Sequence, residues 1–186
     1  MLISFFVFVF PIVALVSGVL YLPYLLWSKH GCRKRSLGFH LVRYALLGCC
    51  LSLLYLTVLW YYPDITFFPE YHLLNLRPFV WLTECYVMGP RKMAEQLLLN
   101  VGMFVPYGLL LPLVFPDLRR FPKTALVVLA TTVSIETFQF FIGRSADIDD
   151  VIMNLAGGLL GYAIFVLLNR RLAKYPRWRR TLGNEE

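Results

Sequence analysis

SIETFQFFIGRSADIDDVIMN, residues Ser134–Asn154, joins two long apolar runs through a short polar turn. Glu136 and Gln139 lie in the first run, three residues apart and so on one side of a helix. The chain leaves that run through Gly143 and Arg144, crosses Asp147-Ile-Asp149-Asp150, and enters the second run. Asp147 and Asp150 share a helical face if the second helix starts near them, and Asn154 extends that stripe four residues on. Each carboxylate would also sit favourably at that helix's N-terminus. Polar groups placed where two apolar helices meet are costly in hydrocarbon unless they bond to one another or to a ligand.

The rest of the chain fits a membrane setting. Of its 186 residues, 59% are hydrophobic and 16% charged, with mean hydropathy +0.64. Soluble domains hold about 45–50% apolar and about 25% charged residues. Five segments are long enough to cross a core about 30 Å thick, which takes about 20 helical residues. They are Leu2–Trp27, Phe39–Trp60, Ala94–Phe115, Thr124–Ile142 and Val151–Leu168. The expected fold is an all-α, polytopic helical bundle in the cell membrane, one membrane domain over residues 1–186. The first segment has no basic leader and too long an apolar run for a signal peptide, so it reads as a retained span bent at Pro11 and Pro23. The cysteines form no CxxC pair, and no disulfide or zinc site is expected.

Charge sets the orientation. Thirteen bases fall on one side: Lys29, Arg33, Lys34 and Arg35, then Arg119, Arg120 and Lys123, then six from Arg170 to Arg180. The other side has Arg77, Arg91, Lys92 and Arg144. Basic loops stay cytoplasmic, so the N-terminus is expected outside and the C-terminus inside. The net charge of +7 is thus a topology signal, and no nucleic acid is expected. The RRLAKYPRWRR tail, Arg170–Arg180, reads as an anchor on anionic inner-leaflet lipid. The aromatic-rich loop Tyr61–Met93 shares the outer face with the acidic turn and suits the headgroup layer.

At ~1.5 Å per residue, Glu136 lies about 10 Å, Asn100 about 9 Å and Asn154 about 5–6 Å below the outer interface. Glu95 and Gln96 begin the third span at the surface. The inner halves of spans three to five are nearly all apolar. Asn100, Glu136, Gln139, Arg144, Asp147, Asp150 and Asn154 are therefore the candidate ligand-binding residues of an outer-leaflet pocket. Arg144 is placed to pair with Glu136 or Asp147. The plainer reading is an internal ion-pair network that fixes helix packing. Asp149 reads as solvated, His72 as without a role, and Arg43 as a lone base that snorkels to the headgroups. Gly157, Gly158 and Gly161 form a close-packing surface. Pro106 leaves the carbonyl of Gly102 without its helical partner.

No GxSxG, HExxH, P-loop or serine–lysine signature occurs. The acidic turn is too short for an EF-hand, and neither a metal nor a cofactor is assigned. Two readings stay open. One is non-enzymatic binding of a polar headgroup by charge-assisted hydrogen bonds. The other is an intramembrane enzyme acting on a lipid or cell-wall polymer, with Glu136, Arg144, Asp147 and Asp150 as catalytic candidates.

The order of these residues resembles the VanZ-like family of bacterial membrane proteins. The similarity runs from about 74 to 168. It comprises Asn75-Leu-Arg77-Pro78-Phe79, Asn100-Val-Gly-Met-Phe104-Val-Pro106-Tyr-Gly108-Leu-Leu-Leu-Pro112, Ser134-Ile-Glu136-Thr-Phe-Gln139, Gly143-Arg144, Asp147-Ile-Asp149-Asp150, Asn154, Gly157 and Gly161. The family carries a neutral apolar residue where this chain has Arg77. The resemblance implies resistance to teicoplanin, a lipid-bearing glycopeptide, without rebuilding of the peptidoglycan target. It brings no established reaction. The implied partners are membrane lipids and a lipoglycopeptide or lipid-linked envelope precursor.

Overall fold

The computed structural model describes residues 5–30, 35–61, 74–82 and 89–183. Five of its helices are long and apolar enough to cross a membrane. They are α1 (Phe10–His30), α2 (Leu37–Thr57), α3 (Pro90–Val114), α4 (Phe121–Phe141) and α5 (Ile148–Leu172). A π-helical turn, Phe5–Val9, leads into α1. A short sixth helix, α6 (Pro176–Thr181), ends the described chain. Two dipeptides, β1 (Leu74–Asn75) and β2 (Ala146–Asp147), pair in parallel, Leu74 with Ala146 and Asn75 with Asp147. The all-α bundle expected from sequence is the fold found.

Two boundaries shift for local reasons. Helix α3 starts at Pro90 rather than Ala94, because proline is well placed at a first helical position. Helix α5 starts at Ile148 because Asp147 caps it, its Oδ1 accepting from the Asp149 N–H at 2.8 Å. Pro106 and Pro112 lie within an unbroken α3, as does Pro23 within α1.

The core forms where α2, α3 and α4 meet, around Leu46, Leu53, Phe104, Leu111 and Val128. Helices α3 and α5 approach most closely. A Cβ on Gly157 would overlap the Val101 carbonyl, one on Gly161 the Val105 carbonyl, and one on Gly108 the backbone of Gly158. The glycine surface expected on the fifth span is therefore real, and its partner is α3. Gly102 differs, since a Cβ there would meet nothing within 4 Å.

Charges at the opposite end of the bundle from the acidic turn are tied into the fold. Arg43 is not a lone snorkelling base. Its Nη1 donates to the Phe39 carbonyl at 3.2 Å and its Nη2 to the Val114 carbonyl at 3.3 Å, with the guanidinium stacked on the Phe39 ring. The Val114 carbonyl needs such a donor because the last turn of α3 leaves its acceptors open. Arg119 bonds likewise to the Pro112 carbonyl (3.3 Å) and the Leu182 carbonyl (3.2 Å). With Leu182 buried and Trp178 Nε1 donating to Asn169 Oδ1 at 2.9 Å, α6 is fastened to the bundle. Arg33 and Lys34, residues 62–73 (with His72) and 83–88 of the aromatic loop, and Cys32 and Cys85 lie outside the described residues.

The glycine contacts give a clear expectation. Gly157→Leu forces backbone apart and destabilises by at least about 1–3 kcal/mol, the usual cost of overpacking. Gly102→Ala enters open space and changes stability by about 1 kcal/mol or less, in the stabilising direction. Thermal unfolding of the purified variants in detergent, followed by size-exclusion recovery, checks both.

Candidate functional site

The polar cluster is assembled at the end of the bundle where α4 finishes and α5 begins. Helix α4 ends in a turn set by Gly143, whose φ of 86° suits glycine. The Arg144 N–H reaches back to the Gln139 carbonyl at 3.0 Å and the Gly143 N–H to that of Phe140 at 3.4 Å, a Schellman closure. That closure carries Arg144 over the last turn of α4 and directs the chain into β2. One turn of extended chain then delivers Asp147 as the cap of α5.

Each polar side chain of the stretch meets a different element. Buried Glu136, 6% exposed, accepts from the Asp147 N–H through Oε2 at 3.1 Å. Asp147 Oδ2 accepts from Asn75 Nδ2 at 3.1 Å, which fixes the β1–β2 pairing. Asp150 Oδ1 accepts from Asn100 Nδ2 at 2.5 Å, joining α5 to α3. Buried Asn154 donates through Nδ2 to Thr132 Oγ1 at 3.1 Å, joining α5 to α4. Gln139 Nε2 and Arg144 Nη1 both donate to the Thr57 carbonyl, at 2.9 and 3.0 Å, joining the end of α4 to the end of α2.

Asp149 departs from its sequence reading. It is not solvated: only 5% of it is exposed. Its Oδ1 accepts from the Phe79 N–H at 2.6 Å and its Oδ2 from the Trp81 N–H at 3.4 Å. Phe79 has φ of 66°, a left-handed conformation uncommon for a bulky residue. The carboxylate supplies the acceptor that holds this turn over the acidic segment. Spacing alone could not show this, because the partners are backbone N–H groups about 70 residues earlier in the chain.

All seven sequence-predicted residues thus fall in one polar cluster at one end of the bundle, in several separately bonded groups with Asn75, Thr57, Thr132 and Asp149. Glu95 and Gln96 stand outside it. They are exposed, and Glu95 pairs with Arg91 at 3.1 Å on the surface of α3. The Thr57 carbonyl had a faint signal, since any helix C-terminus leaves carbonyls open. Thr132 lies one helical turn before Glu136 on the same face, which could have drawn attention to it.

A pocket of about 310 Å³ opens beside the network. Its walls are apolar, from Leu74, Leu76, Phe140, Phe141, Ile148 and Val151, and Glu136, Thr137 and Asp147 line it as well. Asn100, Gln139, Arg144, Asp150 and Asn154 do not line it. Two buried polar atoms of this region, Asn154 Oδ1 and Trp81 Nε1, have no hydrogen-bond partner among the described residues. Buried polar atoms of this kind are few in native structures. The arrangement can hold a polar group against carboxylates while an apolar part rests on the walls.

Comparison with known proteins gives two matches. A sequence model of the VanZ/LLP1 family matches residues 41–169. The protein VanZ of Enterococcus faecium is 40% identical over 100 residues, covering 53% of this chain and 56% of that protein. The matched stretch therefore spans only about half the length of that relative. No solved structure matches.

The Asp149 clamp predicts a local effect. Asp149→Ala removes a charged acceptor from two backbone N–H groups, at a cost of roughly 1.5–3 kcal/mol. Limited proteolysis of the variant should cut between residues 74 and 82 several-fold faster than in the parent. An unchanged cleavage pattern would show that the turn holds without the carboxylate.

Proposed function

Because the chain belongs to the VanZ/LLP1 family, we propose that it lowers susceptibility to teicoplanin and other lipoglycopeptides by binding a lipid-anchored envelope ligand. The binding site in this reading is the polar cluster. The cluster end of the bundle faces outward, as the distribution of bases indicates. Lipoglycopeptides and lipid-linked wall precursors both occupy that leaflet.

One observation carries the reading: polar side chains from α3, α4 and α5 gather at one end of an apolar bundle, beside an apolar-walled pocket with two carboxylates in its lining. Polar side chains at membrane depth are a functional signal by default. The pocket suits an amphiphile, with carboxylates for amine or hydroxyl groups and leucine and phenylalanine walls for the apolar part. The engagement of both Asp147 oxygens by Asn75 and the α5 N-terminus supports a positioning role over proton transfer for that residue.

Disrupting the gene should lower the minimum inhibitory concentration of teicoplanin, and restoring it should return protection. Glu136→Gln keeps the shape of the side chain and its acceptor oxygen but removes the charge. It should accumulate in the membrane to near parental level and protect at least several-fold less. Unchanged susceptibility on gene loss, with no protection on restoration, would remove this function. A changed lipid or wall-polymer profile in Glu136→Gln cells would instead favour enzymatic modification.

A further inference from the structure

A second concavity lies away from the polar cluster. It has a volume of about 520 Å³ and is walled by the first half of α1, much of α2 and the middle of α3. Its wall runs from Phe10 to Ser17 on α1, from Tyr44 to Leu56 on α2, and from Leu98 to Leu110 on α3. Every lining residue belongs to a membrane-spanning helix, and none carries a charge. Two of its hydroxyls are already engaged: Ser17 Oγ donates to the Val13 carbonyl at 2.6 Å and Tyr44 to the Ala14 carbonyl at 2.7 Å. Small residues contribute to the room: a Cβ on Gly102 of α3 would meet nothing within 4 Å, and one on Gly48 of α2 would meet only Ser17 Oγ at 3.4 Å.

We propose that this groove is a binding site for one acyl chain of a bilayer glycerophospholipid. Its length supports that occupant. Twelve residues of α2 or α3 cover about 18 Å, close to the depth of one leaflet in a hydrocarbon core about 30 Å thick. Polarity agrees, since the wall carries no charge and, apart from the Ser52 hydroxyl, the Cys49 thiol and the Gly102 carbonyl that Pro106 leaves open, presents hydrocarbon, which an acyl chain matches. The upper end also fits an amphiphile. Leu56 and Leu99 border it, next in sequence to Thr57 and Asn100, which belong to the polar cluster.

The test uses the full chain reconstituted in bilayers containing a glycerophospholipid with a photoactivatable group on one acyl chain. After irradiation, peptide mapping should find label on Tyr44–Leu56 and Leu98–Leu110 at least tenfold above that on the exposed α4 positions Leu126 and Leu129. Gly102→Phe fills the groove from a position where a side chain meets no neighbour, and should cut groove labelling about tenfold. Ala45→Phe, from the α2 wall, provides the same readout should the first variant fail to fold. Equal labelling of groove and α4, labelling insensitive to a folded filling variant, or cross-linked dimers through the groove in place of lipid adducts would each overturn the proposal.

Discussion

A polar group inside a bilayer must find its partner within the protein, and the fold at the acidic turn follows from that requirement. The turn joins two spans whose ends lie in or near hydrocarbon. Its carboxylates and its neighbours accordingly reach outward to every element nearby. Asp150 takes Asn100 of α3, Asp147 takes Asn75 of β1, Asp149 takes the backbone at Phe79 and Trp81, and Glu136 of α4 takes the turn's own backbone. Gln139 and Arg144 share the carbonyl of Thr57 at the end of α2. Such bonds are individually modest in membranes, about 0.6 kcal/mol on average and up to about 1.7. Their value here lies in direction, because each fixes one element against the turn.

The glycine seam supplies the second constraint. Without a hydrophobic driving force between helices in lipid, close backbone approach is what holds spans together. Gly157 and Gly161 of α5 sit against the α3 backbone at Val101 and Val105, immediately below the Asn100–Asp150 bond. A larger residue on either side of the seam would separate the helices and pull that bond apart. Packing and polar network thus depend on one another, and α4 joins them through Val128, which meets Gly158, and through Thr132, which meets Asn154.

Much of this was legible in the sequence, for stated physical reasons. Long uncharged runs revealed the spans, small residues at helical spacing revealed the seam, and matching depth brought Asn100 to the Glu136 stretch. What escaped was anything decided by backbone partners far along the chain. Asp149 looked like a surface acid because its donors are the N–H groups of Phe79 and Trp81. Arg43 looked like an isolated base because its acceptor is the Val114 carbonyl at the end of another helix. Thr57 contributes a carbonyl, which every residue has, so its identity held no signal.

In the functional account the network is both a structural tie and the polar half of an amphiphile site, and the pocket beside Glu136 and Asp147 is the place where a ligand enters. The most direct test is equilibrium binding of teicoplanin to the purified protein reconstituted in lipid nanodiscs. The account predicts saturable binding that weakens at least tenfold in folded Glu136→Gln protein. Binding that never saturates, or that is the same in the parent and the variant, would contradict it.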